Sequence, residues 1–239
     1  MQLIIDATTT QDQFQYHGVG QYTKNLIENL FELAPEIQFK ILLFEGKSTL
    51  DNFLSNEPVC KRVEIVRIGK LRSNNFLNRV WYLTQILPAV NKIKTHDSIY
   101  FCPYFWRFYP AEKIPTVLMI HDMILSELNS YSARKGIFNF IRKIQYWNAM
   151  RQSKACEAII TNSQYTKKDL LKYYPDLDNQ KVYPIHLASQ QCKSALDPAI
   201  VDKYLPNDWR DRGYIIYLGG ALTQNKNSLG VLEAYYKFT

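Results

Sequence analysis

Two hydrophobic periods alternate along the chain and predict alternating strands and helices. Short apolar runs are typical of strands, whereas apolar residues at every third or fourth position predict amphipathic helices. The apolar runs lie at 2–7, 39–46, 62–69, 98–103, 115–122, 158–163 and 181–188, and the helical patterns lie at 21–34, 75–93, 133–155 and 164–174. Several runs are apolar throughout, as in parallel strands that are covered on both faces. This order predicts an α/β fold with a Rossmann-like, doubly wound and mostly parallel sheet.

The pattern changes after residue 195 and predicts a second domain that is incomplete. Residues 196–213 are typical of a short helix and a polar linker. Residues 214–239 then begin again with an apolar run, a glycine pair, a basic loop and a helical pattern. One strand and one helix cannot cover both faces of a sheet. We therefore expect a first Rossmann-like domain at 1–195, a linker at 196–213 and the start of a second domain at 214–239, in a piece of a longer protein.

Charge, hydropathy and cysteine spacing restrict the class of protein. The chain has 239 residues and a formal net charge of +7, so its surface favours anionic partners such as nucleotides, acidic lipids or polysaccharides. The sequence shows no signal peptide and no apolar run of about 20 residues, so we expect a cytoplasmic protein. The cysteines form no CxxC pair and are expected to be reduced and mostly buried, without zinc or disulfides. They are Cys60, Cys102, Cys156 and Cys192.

A polar loop joins the first predicted strand to the first predicted helix and ends on two glycines. It runs from Asp6 to Gly18-Val19-Gly20. Glycine is favoured where φ is positive or where another group approaches the backbone closely, and a helix N-terminus presents unpaired N–H groups to anions. The glycines therefore indicate either a tight turn with a helix cap or a loop that receives an anionic ligand.

Four stretches in chain order resemble the retaining glycosyltransferases of family 4, which have the two-domain GT-B fold. They are a glycine loop with its helix, a strand ending in His-Asp, a strand ending in Asn-Ser, and a glycine pair followed by Lys-Asn. In this sequence they read HGVGQYTKNLIENL, VLMIHDMIL, AIITNSQYTKKDLLKYY and YIIYLGGALTQNKNSLGVLEAY. The resemblance implies that residues 1–195 form the acceptor-side domain. It also implies that residues 214–239 begin the domain that binds a nucleotide sugar.

The resemblance further implies a reaction. A hexosyltransferase of this family would transfer a sugar from a nucleotide-sugar donor to a polysaccharide or glycolipid acceptor, with retention of configuration. Neither a metal nor another cofactor is implied. Because the acidic pair that holds the donor in this family would lie beyond Thr239, the chain by itself is expected to be inactive.

The same resemblance assigns roles to residues. His121 would be the catalytic residue, because it would lie beside the donor sugar and support developing charge; its loss would lower kcat by a factor on the order of 10² to 10³. The substrate-binding residues would be Gly18, Gly20, Tyr22, Asp122, Gly220 and Lys226. Valine at Gly20 is expected to block close approach of the substrates at little cost to folding, provided that φ there is negative.

These candidates also have structural interpretations. His121 would then only satisfy loop carbonyls, Asp122 would cap a helix or anchor a loop, and Lys226 would be a solvated lysine. The stretch Asp176-Leu177-Asp178 matches a metal–nucleotide motif, but it follows Pro175 in a polar segment and is predicted to be a turn.

The predicted helix at 133–155 contains basic residues and no acidic residue. One face carries Ile137, Phe140, Ile141, Ile144 and Trp147, and Lys135, Arg142 and Lys143 lie roughly opposite. In one interpretation the apolar stripe faces the core and the basic side of the helix is solvated. In the other, the basic side contacts anionic headgroups at the inner face of the membrane. The alternative function is therefore a non-catalytic anion-binding or membrane-surface module. No nucleic-acid partner is expected, because the sequence contains no motif typical of nucleic-acid-binding domains.

Overall fold

The computed structural model describes residues 1–11, 14–70, 78–105, 113–123, 137–188, 217 and 227–238, and it describes their side chains except at 78–83, 137–143, 145 and 238. The chain divides into two compact units, Met1–Ala188 and Ser189–Thr239. Of the second unit, the described residues are 217 and 227–238.

The first unit is built on a seven-stranded sheet in which every strand pairing is parallel. The strands are β1 (Gln2–Asp6), β2 (Gln38–Glu45), β3 (Val63–Lys70), β4 (Ser98–Cys102), β5 (Thr116–Ile120), β6 (Ala158–Thr161) and β7 (Val182–Pro184). Their order in the sheet is β3-β2-β1-β4-β5-β6-β7, so the direction of winding reverses between β1 and β4. The predicted Rossmann-like, doubly wound fold is confirmed.

Helices connect the strands. In the first unit they are α1 (Gly18–Leu33), α2 (Asp51–Leu54), α3 (Glu57–Cys60), α4 (Asn78–Ile93), α5 (Ile137–Ser153) and α6 (Gln164–Tyr173), and the second unit contains α7 (Ser228–Phe238). The sequence pattern did not predict α2 and α3, because a helix of one turn is too short to show a 3.6-residue period. No helix among the described residues is long and apolar enough to cross a membrane.

Alternation along the strands produces a separate core on each face of the sheet. On one face, Ile4, Tyr100 and Leu118 pack with residues of α4, α5 and α6. On the other face, Ile5 and Ile41 pack with residues of α1, α2 and α3. The central strands are therefore covered on both sides, as their continuous apolar runs predicted.

The phase of α5 differs from the prediction. Tyr146 and Met150 face the core, whereas Ile144 and Trp147 are 48% and 55% exposed. The helix therefore turns the 146/150 side toward the sheet, and the part of the predicted core stripe that ends in Ile144 and Trp147 faces solvent. The sequence prediction selected the bulkiest aliphatic and aromatic residues and overlooked Tyr146 and Met150, which occur at the same spacing.

The described cysteines are free thiols. Cys102 and Cys156 are buried as predicted, and burial raises the pKa of the Cys156 thiol to about 12. Cys60, the last residue of α3, is exposed, so the described cysteines are mostly buried, as expected.

Candidate active site

The direction of winding reverses between β1 and β4, and a reversal of this kind creates a crevice at the carboxyl edge of an open α/β sheet. In open α/β sheets, ligands bind outside the carboxyl ends of the strands at such a point. Here, β1 leads into the loop before α1, β4 leads into Pro103 and Tyr104, and β5 leads into His121. These segments bring most of the described candidate residues together.

His121 is held by the backbone of the segment that follows β4. Its Nε2 atom lies 2.9 Å from the Pro103 carbonyl oxygen. A carbonyl oxygen can only accept a hydrogen bond, so Nε2 carries the proton in this contact. Burial lowers the pKa of His121, against the opposing effects of the Pro103 carbonyl and the Asp122 carboxylate. The imidazole is therefore neutral near pH 7, and its Nδ1 atom keeps a lone pair that can accept a hydrogen bond.

Tyr22 lies directly against His121. The two ring centroids are 5.0 Å apart at an interplanar angle of 85°, which is an edge-to-face contact. Burial raises the pKa of Tyr22 to about 12, so its phenol stays protonated at neutral pH. Tyr22 belongs to the first part of α1 and His121 follows β5, so this contact joins the glycine loop to the centre of the sheet's carboxyl edge.

The two glycines of the loop have different roles. Both lie inside the first turn of α1, and neither has a positive φ. A Cβ atom at Gly20 would collide with the Phe14 carbonyl oxygen and lie 2.7 Å from Cα of Gln15. Among the described residues, no heavy atom would lie within 4 Å of a Cβ atom at Gly18. Gly20 therefore allows the protein's own loop to approach the helix, whereas Gly18 borders open space.

This arrangement corrects the expectation that Gly20→Val would leave folding intact. The condition on φ is met, but the loop backbone fills the space that a side chain would need. At Gly18, by contrast, a Cβ atom would point into open space.

Buried polar side chains fix the loop between β1 and α1. The Asp6 carboxylate accepts hydrogen bonds from the Thr8 amide at 3.1 Å and from the Thr8 hydroxyl at 2.7 Å. The Thr9 hydroxyl donates to Thr23 Oγ1 at 2.9 Å, and Thr23 donates in turn to the Val19 carbonyl at 2.9 Å. This chain of hydrogen bonds ties the end of β1 to the first turn of α1. It holds the backbone that positions Gly18 and Tyr22.

The structure brings Gly18, Gly20, Tyr22 and His121 to one edge of the sheet. Asp122 is exposed beside them. The other two candidates, Gly220 and Lys226, lie outside the described residues, as do Lys135 and Arg134 of the predicted basic helix. Of Arg142 and Lys143, the structure describes the backbone alone.

The sequence prediction missed Pro103 and the aromatic residues Phe14 and Tyr104. Phe14 and Tyr104 pack with ring centroids 5.0 Å apart. The sequence contained one signal for this site. The run SIYFC forms β4 and is followed directly by Pro103 and Tyr104. Because β4 is the strand at which the direction of winding reverses, the residues that follow it are expected at the ligand-binding edge of the sheet.

No cluster of potential metal ligands is present among the described residues. Asp178 accepts a hydrogen bond from the Gln180 amide at 2.9 Å and begins a short 3₁₀ turn, and Asp176 pairs with Lys154 at 2.7 Å. The Asp-x-Asp stretch is therefore a turn, as predicted, with one surface ion pair.

Comparisons with known proteins give a family and a fold. The sequence model of Glycosyltransferase Family 4 matches residues 16–188. No curated protein matches the chain in sequence. Its fold is similar to that of a UDP-glucosyltransferase from Polygonum tinctorium, at 12% identity and a TM-score of 0.51 over 84% of this chain and 55% of that chain. It is also similar to UGT2 of Phytolacca americana, at 13% identity and a TM-score of 0.52 over 86% of this chain and 57% of that chain. The chain thus spans about half the length of the solved structures that it matches.

Proposed function

This chain belongs to glycosyltransferase family 4, and from this premise we propose its function. It forms the acceptor-side part of a GT-B enzyme that transfers a sugar from a nucleotide-sugar donor to a saccharide or lipid-linked acceptor, with retention of configuration. The geometry around His121 is the observation that supports this proposal best. A neutral imidazole, fixed by a backbone carbonyl, faces Tyr22 at the carboxyl edge of the sheet.

His121 acts on the donor sugar through Nδ1. Because Nε2–H is engaged with the Pro103 carbonyl, Nδ1 accepts a hydrogen bond from a sugar hydroxyl and holds the ring in position. The contact with Tyr22 limits rotation of the imidazole. In this proposal His121 is an uncharged acceptor, which replaces the role of a charge-stabilising donor expected from the sequence.

The remaining chemistry requires positive charge near the leaving group. As the bond between the anomeric carbon and the phosphate oxygen breaks, that oxygen gains negative charge, which N–H donors and cations stabilise. The first turn of α1 offers N–H groups beside Gly18. The resemblance to family 4 also assigns Gly220 and Lys226 to the binding of the diphosphate. The acceptor oxygen bonds to the anomeric carbon on the face that the phosphate leaves, and the departing phosphate takes the acceptor proton.

We expect the full-length protein to consume a nucleotide sugar and to form a product with the anomeric configuration of the donor. The test is incubation with UDP-, GDP- and ADP-linked hexoses and an oligosaccharide acceptor mixture, with nuclear magnetic resonance of the anomeric protons. EDTA should leave the rate unchanged, since no metal takes part. An inverted product would contradict retention, and failure of every donor to react would contradict the transferase proposal.

The second candidate function is contact with an anionic membrane surface, and the exposed side of α5 favours it. Ile144 and Trp147 face solvent, and the Arg151 guanidinium lies 5.6 Å from the centroid of the Trp147 ring. Tryptophan beside a basic residue is typical of helices that lie in the headgroup region of a bilayer. The protein would then act as a cytoplasmic enzyme held at the inner face of the membrane.

We expect the chain to pellet with vesicles that contain phosphatidylserine, and to do so less as the salt concentration rises. Trp147→Ala and Arg151→Gln should each weaken this binding, Arg151→Gln by about fivefold, since a basic residue near such a surface contributes ~1 kcal/mol. Replacing Lys135, Arg142 and Lys143 with glutamine should act in the same direction. Leu33→Ala is the matched control, because Leu33 is exposed on α1, whose core residues pack on the opposite face of the sheet. Equal binding to phosphatidylcholine vesicles would contradict the electrostatic part of the proposal.

A further inference from the structure

We propose that aromatic side chains at the mouth of the candidate site bind a pyranose ring of the acceptor. This aromatic rim consists of Phe14, Tyr16, His17 and Tyr104. The inference rests on the proposed function, and it specifies the chemical class of the acceptor and the loop that recognises it.

The rim combines packed rings with exposed ones. Phe14 lies 5.0 Å from Tyr104 and 6.3 Å from His17, measured between ring centroids, at interplanar angles of 57° and 66°. Tyr16 is 78% exposed, and His17 is exposed as well. A tyrosine exposed to this degree contributes little to the stability of the fold, since it buries little apolar surface. Tyr16 lies in the chain next to His17 and two residues after Phe14, so its exposed ring extends the aromatic surface at this edge of the sheet.

The rim is joined to both members of the His121–Tyr22 pair. On one side, Tyr104 directly follows Pro103, whose carbonyl oxygen accepts the His121 hydrogen bond. On the other side, the backbone of Phe14 and Gln15 lies against Gly20, in the first turn of the helix that carries Tyr22. Gly18 borders open space in that same turn. A ring bound on the rim therefore lies next to the place where the donor sugar would react.

The Gln21 side chain holds the loop in this position. Gln21 Nε2 donates a hydrogen bond to the Gln15 carbonyl at 3.1 Å, and the His17 amide donates to the Phe14 carbonyl at 2.9 Å. The Gln21 bond attaches the segment from 14 to 17 to α1, in addition to the close contact at Gly20, and the His17 bond closes a turn within the segment. A surface fixed before binding loses little conformational entropy when a ligand binds.

The chemistry of the rim fits a saccharide better than a lipid chain. A pyranose ring presents C–H groups on its faces, which pack against aromatic rings, and hydroxyl groups around its edge. His17 and Tyr104 offer an imidazole and a phenol that can bond to those hydroxyls, whereas Tyr16 contributes mainly its exposed ring. An acyl chain would instead require a continuous apolar groove without such polar groups.

The test uses the 239-residue chain and the methyl pyranosides of glucose, galactose, mannose and rhamnose, in saturation-transfer-difference spectra and titrations. At least one pyranoside should receive saturation at its ring C–H protons. Tyr16→Ala should raise its Kd by about threefold to tenfold, which is the effect of losing one aromatic contact. Tyr16→Phe should stay within about twofold of the unchanged chain, because the ring remains. Tyr165→Ala is the control, since Tyr165 is an exposed tyrosine of α6.

Three results would overturn the inference. They are binding of none of the pyranosides, unchanged binding in Tyr16→Ala, or binding of p-nitrophenol in place of every pyranoside.

The outcome of this binding test is independent of sugar transfer. If the full-length protein reacts with no nucleotide sugar while pyranoside binding depends on Tyr16, the proposed function fails and the saccharide site stands. If transfer occurs without any effect of Tyr16, the rim fails and the proposed function stands.

Discussion

Valine at Gly20 is expected to destabilise the first unit, whereas valine at Gly18 is expected to leave it folded and to abolish most sugar transfer. At Gly20 the new side chain would meet the backbone of Phe14 and Gln15, which cannot rotate away as a side chain can. Overpacking of this kind costs about 1–3 kcal/mol. For a chain of this size that corresponds to a decrease in Tm of about 2–12 °C.

At Gly18 a Cβ atom would meet no heavy atom of the described residues within 4 Å, and no positive φ opposes it. The two substitutions are matched, because both replace glycine with valine in one helical turn and share nearly the same change in helix propensity. In the proposed function, a side chain at Gly18 would occupy space beside the reacting centre, and a displacement of about 1 Å there can lower the rate by about 10²-fold.

The measurements are thermal unfolding of the 239-residue chain for both variants and steady-state transfer by the full-length protein for Gly18→Val. A Tm for Gly20→Val equal to that of the unchanged chain would contradict the packing role of Gly20. Full activity in Gly18→Val would show that no substrate passes over this turn, and the glycine loop would then be a helix start and nothing more.

Much of the fold could be predicted from the sequence because the sheet is parallel and covered on both faces. Its strands are continuous apolar runs, and the helices between them repeat at 3.6 residues, so both periods are visible without any homologue. The exceptions have physical causes. β7 is confined to Val182–Pro184, shorter than its apolar run, in an edge strand that contains a proline. The helix α5 has two apolar stripes, either of which could pack against the sheet. The sequence pattern alone does not decide which of the two stripes does so.

The candidate site was predictable only in part. The topology places the segment after β5 at the carboxyl edge, so His121 could be placed there from strand order alone. The tautomer of His121 could not be predicted, because it depends on the Pro103 carbonyl, which comes from another strand. Likewise, the sequence GVG does not tell which glycine faces the protein and which faces open space. That distinction arises from the path of residues 14 and 15, which precede the motif by a few residues and have no regular period.

The last prediction concerns His121. His121→Ala in the full-length protein is expected to lower kcat by about 10- to 100-fold, with a smaller effect on donor binding. The reason is that the hydrogen bond to Nδ1 holds the sugar ring in its reactive orientation, and misplacement by about 1 Å can lower the rate by about 10²-fold. The net contribution of one neutral hydrogen bond to binding is smaller, at about 0.5–1.5 kcal/mol. This decrease is smaller than that expected for a cationic or donating group, because the structure makes the imidazole a neutral acceptor. His121→Gln should recover part of the loss, since an amide can donate to the Pro103 carbonyl and still accept through its oxygen.

The pH dependence distinguishes a neutral imidazole from a charged one. Burial lowers the pKa of His121 below its ordinary value of about 6.5, so the folded state disfavours the protonated ring. As the pH falls below about 6.5, the unfolded chain binds the proton first, and the free energy of unfolding decreases until the folded state is protonated as well.

Protonation turns Nδ1 from an acceptor into a donor, so kcat should fall on the acid side with a midpoint below 6.5. This decrease at low pH should be absent in His121→Ala. The measurements are kcat against pH for the unchanged protein and the alanine variant, with imidazole resonances followed in the same range. A kcat that rises as the imidazole becomes protonated would contradict the acceptor role, and an unchanged kcat in His121→Ala would exclude this residue from the reaction.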